Sequence, residues 1–461
     1  MIAVADTGSI VDRLGVRLEP VSGADATALL GVALRRNPLR AHLLVSRVLG
    51  KHIPSDPRAV RAAGLLLGLL VADVLVGRPQ RELPTGLLHA AARGDRAAAA
   101  DLHAPLAPEG PTDALVLGFA ETATALGHCV AEALTADYLH STRREVPGMV
   151  PAGGFVEEHS HATSHTLLPA DPGLLRGGRP LVLVDDELST GRTALNTITA
   201  LHRVAPRERY VLAALVDARP PDTDLVEAVA ALGARLDVVS LARARVELPA
   251  DVIARAAALR SEIDRRAELP TRGGVPAEQR RGGTPPRLEV RALGWPAGLP
   301  VGGRHGFTGA DHAAFAAALT EVAVPGLDAD PAERTLVLGT EELMQLPLRL
   351  AQALADAAGP DAPGVAFSTS TRSPAVVVDE PDYALRSGLV FAAHDDPADG
   401  PGRRYAYNIA TGGPDGVPLD GPAWDRIVVV VDPPADTPAL RSGLLRALAP
   451  HTRRTTLLVT P

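Results

Sequence analysis

Short apolar runs alternate with longer amphipathic or alanine-rich stretches along this chain, a pattern that predicts an α/β protein. The run Leu181-Val-Leu-Val184 predicts a buried parallel strand, and Ala194–Leu201 predicts the helix that follows it. Ala114–Leu117, Val211–Val216 and Leu236–Ser240 predict further strands, separated by helices as a parallel sheet requires. Residues 1–110 read as mostly helical, with one early short strand at Val16–Leu18. The most apolar run, Ala62–Ala72, predicts a buried helix with Asp56 as its N-cap and Pro57 at its first position. It is too short to cross a bilayer and is closed by Asp73. A first domain is expected over residues 1–269. Residues 270–287, rich in Gly, Pro and Arg and without apolar periodicity, read as a linker. A second α/β domain is expected over residues 288–461.

The second half echoes the first. Leu336-Val-Leu-Gly339-Thr-Glu-Glu342 mirrors Leu115-Val-Leu-Gly118-Phe-Ala-Glu121. Both segments run into an Ala/Leu-rich helix and then reach Ser-Thr-Arg, at Ser141–Arg143 and Ser370–Arg372. Ile427–Val431 is a candidate counterpart of Leu181–Val184. It ends in Asp432-Pro-Pro, without a second acid or a hydroxyl-rich glycine turn. A degenerate duplicate and the shared pattern of any two βα units both account for this echo.

The candidate chemistry is concentrated at Asp185-Asp-Glu-Leu-Ser-Thr-Gly-Arg-Thr193. Ligands of open α/β sheets bind just beyond the carboxyl ends of strands. A turn leading into a helix N-terminus offers N–H groups and a favourable dipole to a phosphate. Gly191 permits the turn, and Ser189, Thr190 and Thr193 add hydroxyl donors. Asp185 and Asp186 can accept from neighbouring sugar hydroxyls. Together they describe a site for a ribose 5-phosphate.

These residues resemble the PRPP-binding motif of the type I phosphoribosyltransferases: an apolar strand, two acids, then a Thr-Thr-Gly-x-Thr type loop. Ser189 stands in place of the usual Thr or Ala, and Glu187 in place of an apolar residue. Glu187 either points to solvent or adds negative charge near a metal. The resemblance implies a parallel-sheet, Rossmann-like domain that uses Mg²⁺ and PRPP. Asp185 and Asp186 would hold the ribose, and Ser189, Thr190, Gly191, Arg192 and Thr193 the 5-phosphate. The loop Gly118–Gly127, placed like the family's pyrophosphate loop, offers Glu121, Thr122, Ala123 and Thr124. Arg143 and Arg144 match basic residues that the family places after its second strand. The polar stretch Glu157–His165, with His159, His161 and His165, matches a loop that closes over PRPP; a metal site and an idle surface loop are its other readings. Thr371-Arg-Ser-Pro374 resembles the TRSP domain, which follows a phosphoribosyltransferase domain in an orotate-phosphoribosyltransferase-like family of bacterial proteins encoded near tellurite-resistance-type stress genes.

Composition changes this picture in two ways. Lys51 is the only lysine, so every other basic residue is an arginine. A lysine kept in such a chain either survives by chance or sits where a compact ammonium is required. In the second case Lys51 joins Asp185, Asp186 and Arg143 as a candidate catalytic residue. The net charge of −8 argues against a nucleic-acid or membrane-surface binder. Cys129, the one cysteine, excludes an intramolecular disulfide and a cysteine-based zinc site. Asp6, Asp12 and Arg13 interrupt any secretory signal, so a cytoplasmic location is expected, with a homodimer as a candidate assembly. The resulting expectation is a Mg²⁺-dependent transferase that moves phosphoribosyl to a small acceptor and releases pyrophosphate. The same residues also suit a non-catalytic PRPP- or nucleotide-sensing protein.

Overall fold

The computed structural model describes residues 8–156, 164–268, 285–359, 362–395, 402–410 and 422–461. In chain order its first ten strands are β1 (Arg17–Gly23), β2 (Leu30–Leu34), β3 (His42–Ser46), β4 (Leu115–Gly118), β5 (Asp137–His140), β6 (Gly153–Val156), β7 (Ser164–Leu167), β8 (Leu181–Leu188), β9 (Arg209–Asp217) and β10 (Arg235–Glu247). Six of them form one sheet in the order β1-β10-β9-β8-β4-β5, in which only β1 runs antiparallel to its neighbour. The central strands β4, β8 and β9 are almost wholly buried, which explains their unbroken apolar runs.

The remaining strands are β11 (Arg287–Glu289), β12 (Thr335–Gly339), β13 (Val365–Thr369), β14 (Gly388–Ala392), β15 (Arg403–Tyr407), β16 (Trp424–Val431) and β17 (Thr452–Val459). Five of these make a second, all-parallel sheet in the order β11-β17-β16-β12-β13. The two sheets share a core arrangement. In each, the first core strand (β4 or β12) lies between the second (β5 or β13) and the third (β8 or β16). Each unit also inserts an antiparallel hairpin between its second and third core strands, β6–β7 in one and β14–β15 in the other. The hairpins bridge to equivalent threonines, Thr142 to Thr166 and Thr371 to Tyr405.

Helix Pro57–Leu75 begins as its sequence indicates: the Asp56 carboxylate accepts from the Arg58 N–H at 2.9 Å. It packs between the two halves, beside helices Thr124–Leu134 and Gln345–Ala358. Glu132 at this junction takes Arg61 at 2.7 Å and Arg349 at 2.9 Å. Among the described residues, no helix is long and apolar enough to cross a membrane.

Several local expectations change. Residues 17–46 are not mostly helical but carry β1 and the hairpin β2–β3. The apolar run Leu43–Val48 is too short for periodicity alone to separate strand from helix. The loop after β4 is shorter than Gly118–Gly127, because the helix already starts at Thr124. The linker expected over residues 270–287 gives way at its end to β11, where Arg287 pairs with Leu457. Residues 270–284 lie outside the described residues.

Candidate functional site

Each sheet changes direction of winding where its first and third core strands meet, and this is where open sheets bind ligands. In the first sheet the point lies between β4 and β8. A cavity of about 230 Å³ opens over the carboxyl ends of these strands. Its wall includes Asp185, Asp186, Ser189, Thr190 and Thr193 from the β8 end, and Glu121 and Thr122 from the β4 loop. Lys51, Arg143 and His165 complete the set of expected residues that reach it.

The phosphate turn forms because Gly191 caps helix Arg192–Val204 with φ +77°, a left-handed conformation. A Cβ there would also stand 2.8 Å from Leu225 Cδ2. Thr190 and Arg192 are exposed, and Arg192 is outside the cavity wall. The three acids sit together at the strand end. Burial pushes the Asp186 carboxyl up, while Lys51 draws it back. Burial, reinforced by Asp186, raises Glu187 to about 7. Glu187, half-buried, is part of the cavity wall.

Lys51 is 7% exposed and donates from Nζ to Thr122 Oγ1 at 3.1 Å, with Glu121 Oε2 3.9 Å away. Its loop is fixed by the second half of the chain. Gly50 has φ +71°, and a Cβ on it would fall 2.3 Å from the Phe367 ring. Asn408 Nδ2 donates to the His52 carbonyl at 3.0 Å. His165, the last residue of the expected loop, belongs to a strand. It is 2% exposed in β7, stacks on Phe155 at 4.8 Å, and its Nδ1 lies 2.9 Å from Ser141 Oγ. Arg143 Nε approaches its other ring nitrogen at 3.3 Å. His159 and His161 lie outside the described residues. Ala123 is buried behind the loop. Thr124 turns away from the cavity, its hydroxyl donating to the Glu342 carbonyl at 3.0 Å.

Sequence reasoning missed the contribution of the second half to this cavity. Thr371, Arg372, Ser373 and Pro374, from the second half, form part of the same cavity wall. Arg372 Nε reaches Glu121 Oε1 at 2.9 Å and Glu341 Oε2 at 2.6 Å. Thr371 Oγ1 stands 3.4 Å from Glu121 Oε2. The contact is reciprocal: Thr142 Oγ1, the equivalent hydroxyl of the first half, lies 2.9 Å from both Glu342 carboxylate oxygens. Ser141 and Ser370 play matching parts, accepting from the Ala120 and Glu341 N–H groups at 3.0 and 3.2 Å. Repeated Ser-Thr-Arg triplets were visible in the sequence; that each reaches across to the other half was not. Arg35, Arg40 and His52 also line the cavity. Burial, with Lys51 and Arg35 adding to it, pushes the His52 imidazole well below its ordinary value, so it is neutral.

The cavity thus combines four acids with Arg35, Arg40, Lys51, Arg143 and Arg372. That mixture suits a polyanionic sugar phosphate whose hydroxyls meet carboxylates and whose phosphates meet N–H groups and cations. Asp185 and Asp186 also fit a magnesium ion carried in by such a ligand, since Mg²⁺ takes one or two carboxylates and keeps most of its water. Among the described residues no cluster of three or more His, Cys, Asp or Glu forms a metal cage by itself.

Comparison with known proteins finds family matches in both halves of the chain. Residues 29–245 match the family described as phosphoribosyl transferase, and residues 301–448 match the TRSP domain found C-terminal to it. No curated protein matches the sequence. Among solved structures, the chain is similar to an adenine phosphoribosyltransferase from Rhodothermus marinus, with 22% identity over 29% of this chain and 70% of that one and a TM-score of 0.21. The enzyme from Giardia lamblia, solved with 9-deazaadenine, shares 17% identity over 48% of this chain and 96% of its own, with a TM-score of 0.27. An orotate phosphoribosyltransferase from Aeropyrum pernix shares 18% identity over 32% and 66%, with a TM-score of 0.18. With its phosphoribosyl transferase region at 29–245 and its TRSP region at 301–448, the chain belongs to the phosphoribosyltransferases that carry a TRSP domain.

Proposed function

We propose that the first-half cavity binds Mg²⁺-PRPP and transfers its phosphoribosyl group to a small acceptor. The bond from ribose C1 to pyrophosphate breaks, a bond from C1 to the acceptor forms, and pyrophosphate leaves with the bonding electron pair. The observation that carries this reading is the joint placement of Asp185, Asp186 and the Ser189–Thr193 turn on one cavity with five cations. Asp185 and Asp186 hold the ribose hydroxyls. The N–H groups and hydroxyls of Ser189–Thr193 hold the 5-phosphate. Lys51, Thr122, Arg143 and Arg372 face the pyrophosphate and stabilise the charge it gains on leaving. Bound magnesium supplies further neutralisation of that charge. Glu121 takes no part as a pyrophosphate donor; it orients Lys51 and Arg372, the two cations beside it. The family resemblance supports a cytoplasmic, stress-linked setting and a nucleoside-like acceptor.

Calorimetry with PRPP and Mg²⁺ tests the assignment. Wild-type chain binds, and the Asp185→Asn/Asp186→Asn double variant stays folded but loses binding. Equal affinity in the two proteins would sink the reading.

A further inference from the structure

A second cavity, of about 310 Å³, opens at the corresponding point of the second sheet. Glu342, just after β12, and Asp432, just after β16, both line it. These positions match Glu121 and the acid pair of the first half. The phosphate turn is missing here: Asp432 is followed by Pro433 and Pro434, which have no N–H to donate. The cavity has nonetheless not filled in. A decayed site without a ligand would be expected to collapse around apolar side chains, because packed interiors leave few voids larger than a water molecule.

Its wall explains what it is suited to hold. Leu299, Val301, Leu343, Met344, Pro433 and Pro434 give it apolar faces. Polar groups without partners stand among them. Both ring nitrogens of His128, Gln345 Oε1 and Asp432 Oδ1 are buried and have no hydrogen-bond partner among the described residues. His128, Gln345 and Asp432 are 1%, 3% and 8% exposed, and all three line the cavity. Buried polar atoms normally have partners, so three such residues on one cavity point to a bound molecule. Burial keeps His128 neutral. The cation on this wall, Arg304, is already taken by Glu342 at 2.6 Å and Asp432 at 3.4 Å, and Arg144 also pairs with Asp432 at 3.4 Å, so these charges are met within the protein. An anion is therefore disfavoured. Apolar faces with an imidazole, an amide oxygen and a carboxylate oxygen suit an uncharged nitrogen heterocycle with N–H donors, and the volume is at the small end for ligand sites.

We propose that this second cavity is a binding site for a neutral nitrogen heterocycle of the nucleobase or nucleoside class, separate from the PRPP cavity. The proposal does not depend on turnover at the first site. Full-length chain is titrated by calorimetry with adenine, adenosine, uracil and uridine. At least one should bind saturably. Gln345→Leu removes one acceptor, and Val301→Trp fills the cavity from a partly exposed wall position. Each should weaken that binding about tenfold or more, while Asp185→Asn/Asp186→Asn leaves it unchanged. Thermal melting of each variant confirms folding, and Val301→Trp alone decides the matter should Gln345→Leu not fold. Binding of none of the four probes, or binding that survives Val301→Trp, overturns the proposal. So does binding that disappears in the Asp185→Asn/Asp186→Asn variant.

Discussion

Lys51 shows how much a single position can carry. It is buried beside Thr122 and Glu121, in a loop pressed against Phe367, where a compact ammonium and a planar five-donor fork are directed differently. Lys51→Arg keeps the charge but misdirects it. Losing one charge-assisted contact that strengthens in the transition state costs about 2–4 kcal/mol, or about 30–1000-fold in turnover. Steady-state kinetics should show that loss in a protein that still folds; unchanged kinetics would remove Lys51 from the site. Its singularity among the basic residues was legible in the sequence. Its partners were not, because Thr122 and Glu121 lie about 70 positions away and the loop is set by residues of the other half. Arg372 was harder still. The sequence displays it as part of a repeated triplet and of the Thr371–Pro374 segment, but its value depends on a contact with Glu121 some 250 positions upstream.

At the level of elements, the strand–turn–helix from β8 to Val204 was readable almost whole. Its information is local: apolar run, acids, hydroxyls, glycine and amphipathic helix follow one another in the chain. The β2–β3 hairpin was not, because five-residue apolar strands have no period to distinguish them from buried helix. The turn makes a sharp prediction. Alanine at 191 would hold a Cβ in the left-handed region, at about 1–2 kcal/mol, and crowd Leu225. The turn relieves this by moving, which misaligns the N–H groups of the 5-phosphate site. Gly191→Ala should therefore weaken PRPP binding by about tenfold, the equivalent of about 1.4 kcal/mol. A PRPP titration giving the wild-type constant would contradict the role assigned to this turn.

For the whole molecule, the junction between halves is held by buried ions as well as apolar packing. Glu342 sits at about 2, well below the ordinary carboxylate; burial opposes this, but Arg304, His140 and Arg144 outweigh it, with Thr142 adding a hydrogen bond. A depressed folded-state value stabilises the protein above the unfolded value near 4.5 and loses that contribution as pH falls toward 2. The shift corresponds to about 3 kcal/mol. Urea unfolding followed at pH 6 and pH 3 should show a drop that is smaller in Glu342→Gln over the same range. A wild-type stability flat across that window would exclude Glu342 as an acid-sensitive clasp. The two-part plan of the chain was visible as an echo of motifs. The crossing of Thr142 to Glu342 and Thr371 to Glu121 was not, since it depends on how two sheets face each other.

That crossing also changes what mutation can do. In an assembly of two identical chains, any codon change is written into both copies of a shared junction, so neither copy can drift alone. Here the two partners are encoded in series. Asp432-Pro433-Pro434 can differ from Asp185-Asp186-Glu187 without touching the phosphate turn, while Arg372 continues to serve the opposite cavity. One reading frame thus holds two halves of a single junction that can mutate independently.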